Sequence, residues 1–324
     1  MFSLRILERL LAKFPKLIDE VDLIAGTSTG GLIALMLANG YSPTQGFMCF
    51  FFFFPKSVVE NGLFCLQGLE IYRHNIPLIF HSNIFRRLAP FLSTYPDRYR
   101  EEVFRYYFGD IRLSDLGKFI VITAFRLDGG PDLKGNATFF PSGSWRPALM
   151  SNLPLASGLV PPDNDLLCCN AAMRTTSAPT YFPIYQGYAD GGLFANNPAL
   201  SAIGRAYAHF PLVTPENTVV LSIGTGHSLK ELKDASGNNS LDWGLQQWAP
   251  KLLDLLMEAN QLSNEVNLKL LLKNRYHRLD VEFSTDVALD AVDALDDLIA
   301  VADGVDLDDT EQFIFSTFLA NENE

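Results

Sequence analysis

The stretch Val21-Asp22-Leu23-Ile24-Ala25-Gly26-Thr27-Ser28-Thr29-Gly30-Gly31-Leu32-Ile33-Ala34-Leu35-Met36-Leu37-Ala38-Asn39-Gly40 decides how this chain is read. Val21 to Ala25 has the character of a strand, and Leu32 to Ala38 that of a buried helix closed by Asn39-Gly40. Between them Gly26 to Gly30 forms a G-x-S-x-G turn, the pattern that lifts a serine out of a sharp strand-to-helix corner. Its glycines permit the corner without side-chain clashes, and the following helix aims its unpaired N–H groups and positive dipole end at the hydroxyl. Two plainer readings compete: a glycine-rich turn without chemistry, and a phosphate loop. No lysine follows the glycines, which counts against a Walker-type loop.

Outward from this corner, helix and strand signals alternate, which predicts an α/β fold in one domain. Lys118 to Phe125 reads as a strand covered on both faces, and Thr218 to Ile223 as another, ending in Gly224-Thr225-Gly226. Leu166 to Thr176 reads as a helix, and Gln186 to Ala189 as a short strand feeding Asp190-Gly191-Gly192. A long helix is expected over Leu245 to Leu272, with Leu252, Leu255, Leu256 and Leu262 on its inner face. Asp128 to Asn164, rich in Pro, Gly, Ser and Asn, is expected to be an excursion around the sheet. The apolar run Phe47 to Phe54 reads either as a buried helix or as an exposed flap that meets lipid.

Composition narrows the function classes. At 324 residues and 48% hydrophobic content the chain can bury a sizeable core. The net charge is −12, yet fourteen acidic and no basic side chains lie from Asp280 to Glu324, so the rest is close to neutral. Neither part suits a nucleic acid. Residues 280–324 are expected to form a helical acidic segment packed on a 1–279 domain. Four cysteines without metal-ligand spacing, and no secretory signal, point to a reducing, cytoplasmic setting.

A serine nucleophile needs a base. His227, after the Gly224-Thr225-Gly226 turn, would complete a Ser28–Asp190–His227 triad. In an α/β-hydrolase, however, several strands precede the nucleophile, and here only about two dozen residues do. The other choice is a carboxylate. Asp128-Gly129-Gly130 runs into Pro131 and a polar loop and reads as a turn. Asp190-Gly191-Gly192 follows a strand and precedes Asn197-Pro198, which is expected to cap a helix. Partial desolvation would push the Asp190 carboxyl upward and make it a competent base near neutral pH.

GTSTGG after a strand, Ala178-Pro179-Thr180-Tyr181-Phe182-Pro183, the run ADGGLFANNPA from Ala189 to Ala199 and LSIGTG from Leu221 to Gly226 together resemble the patatin-like phospholipase family. The resemblance implies a three-layer α/β/α fold with a mostly parallel central sheet. It also implies lipid acyl hydrolysis by a Ser–Asp dyad through an acyl-enzyme, without cofactor or metal. Carried onto matching positions, Ser28 is the nucleophile and Asp190 the base. Gly26, Thr27, Thr29 and Gly30 then form the elbow, with Gly191 and Gly192 behind the aspartate. The implied substrate is a phospholipid or other glycerolipid, met in transient, peripheral contact with a membrane surface. One departure stands out: family members open with a strand and a D-G-G-G-x-R-G loop that supplies the oxyanion hole, just ahead of a helix like Ser3 to Phe14. This chain starts at that helix, which predicts a missing first strand, weak or absent activity and a fragment of a longer product. Gly30 and Gly31 N–H groups are the available substitute donors. The alternatives are a non-catalytic lipid-binding or interaction protein on the same fold, and an esterase using His227.

Overall fold

The computed structural model describes residues 1–40, 67–82, 86, 89, 91–129, 143–154, 163–228, 237, 241–284 and 287–319. The aromatic run Phe47 to Phe54 lies outside them. An amphipathic helix α1 (Phe2–Lys13) leads to β1 (Leu23–Thr27), the corner at Ser28 and α2 (Thr29–Ala38). Then come α3 (Gln67–Ile79), α4 (Asp97–Phe108), β2 (Phe119–Arg126), β3 (Arg146–Ser151), α5 (Cys168–Thr175) and β4 (Tyr188–Asp190). The remainder is α6 (Gly192–Ala195), α7 (Ala199–His209), β5 (Val220–Ile223), β6 (His227–Ser228), α8 (Leu245–Leu272), β7 (Tyr276–Leu279), β8 (Glu282–Phe283), α9 (Leu295–Gly304) and α10 (Asp308–Phe313).

β2 is the hub. Its apolar run buries Ile120, Ile122 and Ala124 with α2, α4 and α5 on one face, while Val121 packs against Leu153 and Ala202 on the other. One edge of β2 takes β3 antiparallel, from Val121↔Ser151 to Arg126↔Arg146. The other edge is shared end to end. β1 runs parallel to Phe119–Thr123 and finishes at Thr27↔Thr123, while β4 runs antiparallel and finishes at Ala124↔Asp190. Two strands approaching from opposite ends therefore stop beside each other, and this register is what brings Ser28 and Asp190 together.

The described central sheet is thus small and mixed, not mostly parallel as expected. Two strands are the reason: β4 runs antiparallel on one edge of β2, and residues 146–151, inside the expected excursion, fold back as β3 along the other, an edge position that tolerates Pro147. The remaining strands form two parallel pairs, β5 with β7 and β6 with β8. Among the described residues β1 and β5 are each paired on one side only, and both line one large cavity.

The long helix has its expected bounds but not its expected face. Leu252, Leu255, Leu256 and Leu262 are exposed, at 41% to 54% of their surface, and Leu268 and Leu272 are the buried residues. Amides dock the inner face instead. Asn260 Nδ2 donates to Gly192 O at 2.8 Å, Asn196 Nδ2 to Gln261 Oε1 at 2.9 Å, and Asn264 Nδ2 to Asn197 O at 3.1 Å. At the start of α7 the cap is Pro198 rather than Asn197, whose Oδ1 accepts the Ala199 N–H at 3.2 Å.

Candidate active site

The corner at Ser28 is strained in the way the glycine pattern implies. Ser28 holds φ +55°, a left-handed value that a side-chain-bearing residue adopts only when its surroundings enforce it. A Cβ on Gly26 would stand 2.2 Å from Gly30 O and 2.6 Å from Gly31 Cα, so only glycine lets the chain double back. Nothing lies within 4 Å of a Cβ on Gly30, so sterics do not demand glycine there. Thr175 Oγ1 accepts the Ser28 N–H at 2.9 Å. Thr27 Oγ1 meets Thr123 Oγ1 at 2.7 Å and donates to Ala195 O at 2.5 Å, tying the elbow to β2 and α6. Thr29 is the first residue of α2.

Asp190 ends β4, 2% exposed. Its N–H donates to Ser177 O at 2.9 Å, and its Oδ1 accepts the Gly192 N–H at 2.8 Å. The Oδ2 atom is buried without a hydrogen-bond partner. The Ser28 hydroxyl acts on this carboxyl as a hydrogen-bond donor that favours its ionised form. Burial pushes the carboxyl up to about 6, opposed by the Gly192 N–H, the Ser28 hydroxyl and the Arg100 charge. Gly191 fits because a Cβ there would come within 2.0 Å of Thr123 Oγ1. On Gly192 a Cβ would meet the Met257 methyl at 2.8 Å.

Ser28 and Asp190 both line the cavity of about 1590 Å³, whose wall includes Phe182, Leu193, Met257 and Phe283. Three backbone donors at the corner and along the cavity are committed, whereas Gly30, the other expected substitute donor, lines the cavity. Gly31 N–H donates to Ser28 O at 2.9 Å, which removes one expected substitute donor. Gly224 N–H donates to Leu279 O, and Gly226 N–H to Asp280 Oδ1, each at 2.8 Å. His227 stands 4.0 Å from Asp280 Oδ2, with 42% of its side chain exposed. Asp128 pairs with Arg126 Nε at 2.6 Å on the surface. Cys168 and Cys169 are free and buried, which holds their thiols near 12 and 11. Among the described residues no cluster of His, Cys, Asp or Glu could hold a metal ion, and no helix is long and apolar enough to cross a membrane.

Sequence reasoning missed Thr123 and Thr175, which look like ordinary core residues, and Arg100. Arg100 sits in the charged run Asp97-Arg98-Tyr99-Arg100-Glu101-Glu102, where nothing separates it from the surface arginines.

The family model described as "Patatin-like phospholipase" matches residues 1–203. "Protein teg" of Priestia megaterium is 30% identical over 75% of this chain and 63% of its own length. "Patatin-like protein 2" of Arabidopsis thaliana is 29% identical over 75% of this chain and 58% of its own. A "cGAMP-activated phospholipase" of Escherichia coli is 29% identical, covering 90% of this chain and 80% of its own. The chain therefore spans about three fifths of the first two relatives.

Proposed function

The chain belongs to the patatin-like phospholipase family, and on that premise we propose that it is a lipid acyl hydrolase working through Ser28 and Asp190. One observation carries the assignment: the buried Asp190 carboxyl, its Oδ2 unpartnered, feels the hydroxyl of Ser28, a serine on a strained strand-to-helix corner. Asp190 accepts the hydroxyl proton as Ser28 Oγ adds to the ester carbonyl. The bond to the leaving alcohol then breaks, its oxygen takes the proton from Asp190, and the acyl group stays on Ser28. Water adds next and gives its proton to Asp190. Ser28 Oγ leaves, recovers that proton, and the acyl chain departs as a fatty acid. Phe182, Leu193 and Met257 suit the acyl chain of a phospholipid, lysophospholipid or neutral glycerolipid. The lipid is met at a surface by transient contact, which the acidic segment would disfavour on anionic membranes.

Turnover by the 324-residue chain is slow on this reading. The Gly31, Gly224 and Gly226 N–H groups are spent, and losing one oxyanion donor typically costs about 10²–10³ in rate. Among the described residues β1 and β5 each keep one unpaired edge, and both line the cavity. Adding a strand and a glycine-rich loop ahead of Phe2 should raise the rate, and a well-folded extended chain with no gain counts against this account. The same spent donors favour a second reading, lipid binding without turnover.

The assay that tests the dyad treats the chain and its Ser28→Ala and His227→Ala variants with a fluorophosphonate probe. Fatty-acid release from a lysophospholipid and circular dichroism are followed in parallel. Labelling lost in Ser28→Ala and kept in His227→Ala supports the dyad. A folded parent that takes no label overturns the reading in favour of a binding protein.

A further inference from the structure

Arg100, on α4, is a fully buried arginine that the hydrolytic scheme does not use. Its guanidinium stacks over the Phe182 ring at 4.3 Å from the centroid, and Phe182 lines the cavity. One terminal nitrogen donates to Thr176 O and, at 3.2 Å, to Thr176 Oγ1. The other reaches Asp97 Oδ1 at 2.6 Å and Ser177 Oγ at 3.1 Å. The carbonyl of that same Ser177 accepts the Asp190 N–H. Arg100 Nε remains buried without a partner. Burying a guanidinium with an unsatisfied donor is costly, and a well-packed apolar side chain would serve stability as well or better. The cost therefore needs a return elsewhere.

We propose that Arg100 is a positioning residue for the base: its forked bonds fix the Thr176–Ser177 turn from which Asp190 hangs, and its positive charge favours Asp190 as the acceptor of the Ser28 proton. The inference rests on Asp190 being the base. Burial acts most strongly on that carboxyl, opposed in turn by the Gly192 N–H from its own turn, the Ser28 hydroxyl from the elbow and the Arg100 charge from α4. Asp97 answers Arg100 from the far side, at the half-buried mouth of the guanidinium's niche. Geometry and charge thus converge on Asp190 from Arg100, which lines the same cavity as Ser28 and Asp190.

The test measures fluorophosphonate labelling against pH for the parent, Arg100→Met and Arg100→Lys. The Asp190 carboxyl is also titrated directly by ¹³C NMR, its resonance assigned through Asp190→Asn. In Arg100→Met the acid limb and the carboxyl titration both move upward together, and labelling at the parent's midpoint slows. In Arg100→Lys the charge stays and the titration holds, but a compact ammonium cannot span Thr176 and Ser177, so labelling slows at every pH. A folded Arg100→Met chain whose Asp190 titrates as in the parent overturns the proposal. Should Arg100→Met not fold, an Arg100→Lys chain labelling at the parental rate overturns it instead. A parent that takes no label defeats the dyad reading, while the carboxyl titration still decides whether Arg100 governs Asp190.

Discussion

At Asp190 burial opposes ionisation more strongly than the Gly192 N–H, the Ser28 hydroxyl and Arg100 favour it, so the carboxyl is held at about 6. As the base it must be ionised, so labelling of Ser28 should fall about tenfold per pH unit below about 6 and level off above it. A pH-independent labelling rate between 5 and 8 in a folded chain would exclude Asp190 as base. The same shift bears on stability. The native carboxyl titrates above its ordinary value of 3.8, so the native state binds the proton more tightly, and stability falls as pH rises from about 4 to about 6. The loss is on the order of 3 kcal/mol. Asp190→Asn, neutral throughout, should therefore unfold at higher denaturant than the parent at pH 8, and with little difference near pH 4, while taking no label. Glycines at the elbow separate in a similar way. Gly26→Ala drives a Cβ into the Gly30 backbone and should cost upward of about 3 kcal/mol. Gly30→Ala meets open space in the first turn of α2 and should gain roughly 0.5–1 kcal/mol in the same denaturation assay. Equal effects from the two would refute the steric account of the corner.

Among the elements, α8 tests whether burial or mere helical spacing sets stability. Leu255→Gln and Leu256→Gln replace exposed side chains and should stay within about 0.5 kcal/mol of the parent, whereas Leu268→Ala opens the core and should cost about 2–5 kcal/mol by urea denaturation. This helix also shows where sequence patterns stop informing. Its bounds follow from composition, but its buried face is chosen by Asn260, Gln261 and Asn264 reaching the α6–α7 turn, and amides carry no hydropathy signal. The elbow was legible because its constraints are local: a strand, a helix and, at Gly26, a glycine that sterics demand. β3 was not legible, since Pro147 and the surrounding Gly and Ser mark a loop, and only the β2 edge makes a strand of it. The meeting of Ser28 with Asp190 lay in between. Motifs named both residues, but only the shared edge of β2 gives the physical reason that they adjoin.

For the molecule as a whole, the question is what the acidic C-terminal segment does. Ala302, Leu307 and Ile314 are buried against Phe2, Ile6 and Leu10 of α1 and Leu279 of β7. Arg9 donates to the carbonyls of Ala302, at 2.5 Å, and Val305, at 2.9 Å, a cation placed where the end of α9 leaves its acceptors. His277 stacks on Phe313 at 5.1 Å and meets the Thr310 hydroxyl at 2.8 Å. The segment also reaches the site. Tyr95 donates to Asp290 at 2.5 Å and packs 5.8 Å from Phe182, the ring beneath Arg100. Uncovering several large apolar side chains, each worth about 1.5–3 kcal/mol, removes much of a total stability that is typically about 5–15 kcal/mol. A chain ended after Ser284, keeping β8 but losing α9 and α10, should therefore be insoluble or lose its cooperative melt in circular dichroism. A soluble truncated chain melting within about 5 °C of the parent, a shift worth about 1–2 kcal/mol, would show instead that the acidic segment is an appendage.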